Sequence, residues 1–76
     1  MGVNEMNYIY YAYAPIGYDV MSTSCLVRYS KGIFEEYRKG EWVKTNNFYE
    51  ILIGEDDNME RVSENDAMKI IEKGNL

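Results

Sequence analysis

Few side chains in this sequence could carry chemistry, and their types narrow the choice quickly. Among the 76 residues there is no histidine, which removes the commonest general base and metal ligand near neutral pH. A Ser-His or Cys-His nucleophile cannot be assembled within such a chain, and zinc would be left with one thiol and carboxylates. Cys25 is that thiol and the sole cysteine, so no disulfide forms within the chain. An activated thiolate needs positive charge or a helix N-terminus beside it, and Arg28 and Arg38 are the only cations that can be placed near Cys25. With Leu26 and Val27 as its neighbours, Cys25 reads as a small, half-buried structural residue.

The adjacent carboxylates Glu35 and Glu36 invite comparison with a catalytic pair. Neighbouring strand residues point to opposite faces, so the two cannot share a substrate. Glu55-Asp56-Asp57-Asn58 could attract calcium, but a loop starting at Asp56 would need glycine where Arg61 stands and glutamate where Ala67 stands. The glycines form neither a GxGxxG fingerprint nor a phosphate-binding loop. No catalytic, cofactor-binding or metal-binding residue is assigned, and the chain reads as a non-enzyme. A catalytic reading built on Tyr, Glu and Arg alone would require a concave pocket where they converge.

What remains is aromatic. Eight tyrosines, two phenylalanines and one tryptophan occur in a short chain. Tyr8, Tyr10, Tyr11 and Tyr13 alternate along one strand candidate, the first two facing one side and the last two the other. Either both sides are covered by the rest of the domain, or the strand is an exposed edge available for association. Tyr37 and Trp42 fall opposite each other on later strands and form a second patch. These six residues are the candidate contact residues.

These side chains must be positioned by one small domain, because 76 residues leave room for no second one. Asn7–Ala14 is a strand candidate, ended by Pro15, Gly17 and Asp19. Cys25–Tyr29, Ile33–Arg38 and Glu41–Lys44 follow as strands separated by Lys31-Gly32 and Lys39-Gly40, a spacing that predicts an antiparallel meander with two-residue turns. In that register Arg28 faces Glu35, which faces Lys44, and Leu26 faces Tyr37, which faces Trp42. On the other side Tyr29 faces Phe34, and Val27 faces Glu36, which faces Val43. Glu36 between two valines is unexpected on a covered face.

Asn47–Ile53 mixes the β-branched and aromatic content of a strand with helix signals: Asn47 and Glu50 fit a capping box, and Gly54 is a natural stop. A short helix over 48–53 is the reading preferred. Arg61-Val62 reads as a short extended piece. A C-terminal helix is predicted by Ser63 as N-cap, Val62 placed to staple onto Ala67, and Gly74 as terminator. Acids lie in its first turn, lysines towards its end, and Ala67, Ile70 and Ile71 form an apolar stripe. The expected architecture is α+β, an antiparallel meander of three to four strands with this helix on one face.

Charge constrains partners. Thirteen acids oppose eight bases, and the excess is local, since residues 54–76 hold seven acids against three bases. A negative field opposes ordinary phosphate-backbone binding. No apolar run is long enough for a membrane span and no basic-then-apolar leader opens the sequence, so a cytoplasmic location is expected by elimination. The functional expectation is a protein-interaction module that forms a homodimer, with no cofactor, nucleic acid or membrane involved. The alternative is an acidic inhibitor or nucleic-acid mimic that fills a partner's basic groove with Glu55, Asp56, Asp57, Glu60, Glu64 and Asp66.

Overall fold

The structure is a computed structural model that describes residues 7–54 and 58–76. It contains β1 (Ile9–Tyr13), a 3-10 turn (Val20–Ser22), β2 (Leu26–Ser30), β3 (Ile33–Arg38), β4 (Glu41–Thr45), a second 3-10 turn (Tyr49–Ile51), β5 (Met59–Val62) and α1 (Glu64–Lys73). The strands form one antiparallel sheet in the order β4-β3-β2-β1-β5. The α+β class with a meander and a C-terminal helix is therefore observed.

The β2–β3–β4 register is the one the turn spacing predicts: Arg28 pairs Glu35, which pairs Lys44, while Tyr37 pairs Trp42 and Tyr29 pairs Phe34. Both turns have positive φ at their two central residues, Lys31 (51°) with Gly32 (85°) and Lys39 (52°) with Gly40 (87°). This is the type I′ pattern, whose twist matches that of the flanking strands. Glycine supplies only the second position, and each lysine accepts an uncommon backbone conformation to complete the turn.

The sheet has five strands rather than three to four. Extended structure begins at Met59, earlier than the Arg61-Val62 piece, because the outer side of β1 offers a ladder that local pattern does not announce. Ala14 N–H donates to the Asn58 carbonyl at 2.7 Å as that ladder opens. β1 is consequently interior, paired with β2 on one side and β5 on the other.

The short helix expected over 48–53 contracts to the 3-10 turn Tyr49–Ile51. The Asn47 side chain does not cap it; Phe48 occupies the N-cap position with no side-chain hydrogen bond. The reason is tertiary. The chain leaving β4 turns onto the face opposite α1 and lays Phe48 and Tyr49 on the fully buried Phe34. Tyr49 meets that ring edge-on at 5.1 Å and its hydroxyl donates to the Gly32 carbonyl at 2.9 Å. Tyr29 (4.7 Å) and Tyr11 (6.4 Å) complete the cluster, in which each well-placed ring pair contributes about 0.5–1.5 kcal/mol beyond area burial.

On the other face α1 packs Ala67 and Ile70 against Ala12 and Leu26, all four buried. The two alanines let helix and sheet approach closely. The Ser63 hydroxyl accepts from the Asp66 N–H at 3.0 Å, Val62 packs on the same cluster, and Gly74 ends the helix in the left-handed conformation with its N–H on the Ile71 carbonyl. Thr23 is buried beside this layer with its hydroxyl fully used: it donates to the Cys25 carbonyl and accepts from the Cys25 N–H, both at 3.1 Å.

Candidate binding surface

α1 leaves part of its sheet face uncovered, and the residues there are organised by Arg28. β2 directs Arg28 to the helix side, where the antiparallel register sets Glu35 opposite it. The guanidinium Nε donates to Glu35 Oε1 at 2.6 Å, with the two side chains 19% and 27% exposed. Its carbon lies 4.0 Å from the centroid of the Tyr8 ring and 4.3 Å from that of Trp42. A planar cation held between two rings gains from both quadrupoles, about 0.5–2 kcal/mol per contact depending on desolvation. Lys44, the other cation expected to flank Glu35, is exposed and forms no ion pair among the described residues. Arg28 holds the Glu35 carboxylate because the rings fix its guanidinium in place.

The aromatic row continues from this centre. Tyr8 and Tyr10 lie 6.2 Å apart, Tyr10 and Trp42 6.1 Å, and Tyr37 and Trp42 5.1 Å in an edge-on contact. Burial, and after it the Glu64 charge, raise the Tyr10 phenol above its ordinary value, while Arg28 partly opposes them. Tyr10 thereby joins the same surface as Arg28, whose guanidinium interacts with its phenol. At the rim, Ile33 is 43% exposed and shares a shallow depression with Tyr8, Ser30, Lys31 and Glu35.

Of the six residues singled out in the sequence, four come together: Tyr8, Tyr10, Tyr37 and Trp42. Tyr11 and Tyr13 do not, because they point through the sheet to the other face. Tyr11 belongs to the Phe34 cluster, and Tyr13, 42% exposed, sits 6.5 Å from Tyr18. An association edge along Tyr8–Tyr13 is ruled out by the pairing of β1 on both sides; the edges are β4 and β5. Arg28 and Ile33 are the members that sequence reasoning missed. The signal for Arg28 lay in the β1–β2 register, which sets Tyr10 directly opposite it.

The remaining chemical candidates are accounted for locally. Glu36 does face Val27 and Val43, and its carboxylate is met by Arg38 at 3.6 Å and by the Cys25 thiol, which donates at 3.8 Å. A thiol directed at a carboxylate is in the reverse of the cationic setting that activates thiolates. Glu55, Asp56 and Asp57 lie outside the described residues, so the calcium reading and half of the proposed acidic row fall there too. Glu64 and Asp66 occupy the first turn of α1, where they complement its dipole. Among the described residues no three Cys, Asp or Glu side chains are grouped to hold a metal ion, and no helix is long and apolar enough to cross a membrane. Comparison of the chain with family models, curated proteins and solved structures finds no match to any of them.

Proposed function

We propose that this chain is a protein-interaction module that works by binding rather than catalysis, and that its contact surface is the open part of the helix-side face around Arg28. The observation that carries the reading is the Tyr8–Arg28–Trp42 stack pinned by Glu35. Tyr, Trp and Arg are the residue types that dominate the energetics of protein interfaces. Here they are preorganised, so little side-chain entropy is lost on binding. The exposed Ile33 beside them gives the surface an apolar rim. The separation of Glu35 from Glu36 and the missing histidine favour binding over catalysis, and the cytoplasm is the location that goes with this proposal.

The test is affinity capture from native lysate with wild-type, Tyr8→Ser and Ile33→Glu baits, alongside thermal melts of each. Partners held by the wild type should be lost by both variants, and the melts should stay cooperative. An unchanged set of partners with both variants would remove this face from consideration.

A further inference from the structure

We infer that a second copy of this chain pairs with the edge strand β4, continuing the sheet across a two-fold axis at Val43. This deepens the interaction-module reading, using the sheet edge where that reading uses the helix-side face. In a two-residue hairpin the residues flanking the turn exchange both ladder hydrogen bonds. Arg38 and Glu41 flank the Lys39-Gly40 turn. Strict alternation then directs the backbone groups of Glu41, Val43 and Thr45 towards β3 and those of Trp42 and Lys44 outwards. Among the described residues no backbone group bonds to the outward N–H or C=O of Trp42 or Lys44.

An antiparallel pair of identical edges related by a two-fold axis keeps both helices on one side of the joined sheet, so residues that meet must face the same way. Only a few registers satisfy this. Centring the axis on Val43 sets Trp42 opposite the partner's Lys44, and the same pair recurs on the other side of the axis. These are the two outward-directed residues, so both pairs exchange their hydrogen bonds and every outward group of the central strand is used. On the helix side the ammonium of the partner's Lys44 meets the Trp42 ring, a favourable cation–aromatic pair. On the other side Val43, 38% exposed, meets the partner's Val43. No like charges are opposed.

The other edge is built differently. Ala12 pairs Glu60 and Tyr10 pairs Val62, and the Ala14–Asn58 hydrogen bond fixes the phase of that ladder. The outward residues of β5 are therefore Met59 and Arg61. Two-fold pairing centred on either middle residue of β5 opposes Glu60 to the partner's Glu60, or Arg61 to the partner's Arg61. Charges so placed guard an edge against pairing. One receptive edge and one guarded edge give a closed dimer in place of an open fibre.

Sedimentation equilibrium or light scattering on the full chain tests this, using wild type, Val43→Lys and Lys44→Pro with circular dichroism as the check on folding. Val43→Lys faces Glu36 within the monomer but meets its own copy at the axis. Lys44→Pro removes an outward N–H, a place where an edge strand tolerates proline. The wild type should show twice the 8.9 kDa chain mass, falling towards one chain on dilution. Both variants should be folded monomers at concentrations where the wild type is dimeric, and Val43→Lys decides alone if Lys44→Pro does not fold. A monomeric wild type overturns the dimer and leaves the helix-side surface standing. A dimer that survives folded Val43→Lys overturns the β4 edge as its site.

Discussion

Replacing Phe34 tests whether the Phe48–Tyr49 segment after β4 covers the centre of the second face of the sheet. Phe34 is fully buried, with Tyr29 and Tyr49 as its nearest rings at 4.7 and 5.1 Å. Phe34→Leu keeps most of the apolar volume and loses those ring contacts, a cost of about 1–3 kcal/mol for the two closest pairs. At the sensitivity of a domain this size, that lowers Tm by about 5–20 °C. Phe34→Ala adds a cavity and costs about 3–5 kcal/mol. A chain of this length holds about 4–11 kcal/mol in total, so the alanine variant should be marginal at room temperature. Urea unfolding followed by Trp42 fluorescence is the suitable assay. Trp42 is the sole tryptophan and points to the opposite face, so it reports global unfolding and not the local loss of a neighbour. If Phe48 and Tyr49 did not cover Phe34, the ring would lie on an open face and both substitutions would stay within about 0.5 kcal/mol. That result would refute the packing argument.

Arg28→Lys should cost about 1–2 kcal/mol in urea unfolding, because an ammonium cannot stack flat between Tyr8 and Trp42 while bonding Glu35; a neutral outcome would mean the stack contributes nothing. Ser63→Ala should cost about 1 kcal/mol by removing the cap on Asp66 N–H, and Ser63→Asp should retain most of that stability. For Tyr10, burial and Glu64 raise the folded-state value of a group that is neutral when protonated. The folded protein therefore holds this proton more tightly than the unfolded chain does. The associated stability is fully present below the unfolded value of about 10 and is lost as pH rises through the higher folded value. Tyr10→Phe should flatten the alkaline limb of the stability curve, and an unaltered limb would contradict the assignment.

Legibility from sequence followed the range of the interactions involved. The β2–β3–β4 register could be written down because Lys31-Gly32 and Lys39-Gly40 set both loop lengths, and a period of two does the rest. The ends of α1 were equally legible, since Ser63, Val62 and Gly74 act within one turn of the helix they bound. β5 was only half visible because four residues carry too little alternation to declare a strand without the partner edge. The helix signals over 48–53 yield only the 3-10 turn Tyr49–Ile51, because Phe48 and Tyr49 are drawn onto Phe34.

The candidate surface divides in the same way. Local pattern by itself determined the meander, the helix, the opposite orientation of Glu35 and Glu36, and the parity that separates Tyr8 and Tyr10 from Tyr11 and Tyr13. Only the tertiary structure decided that β1 is interior, that Arg28 lies over both Tyr8 and Trp42, and that β4 and β5 are the edge strands. The physical reason is that alternation and capping are set by residues a few positions apart. Strand order and ring stacking depend instead on which distant segments the chain path brings together, and here β5 pairs with β1 while Phe48 and Tyr49 land on Phe34.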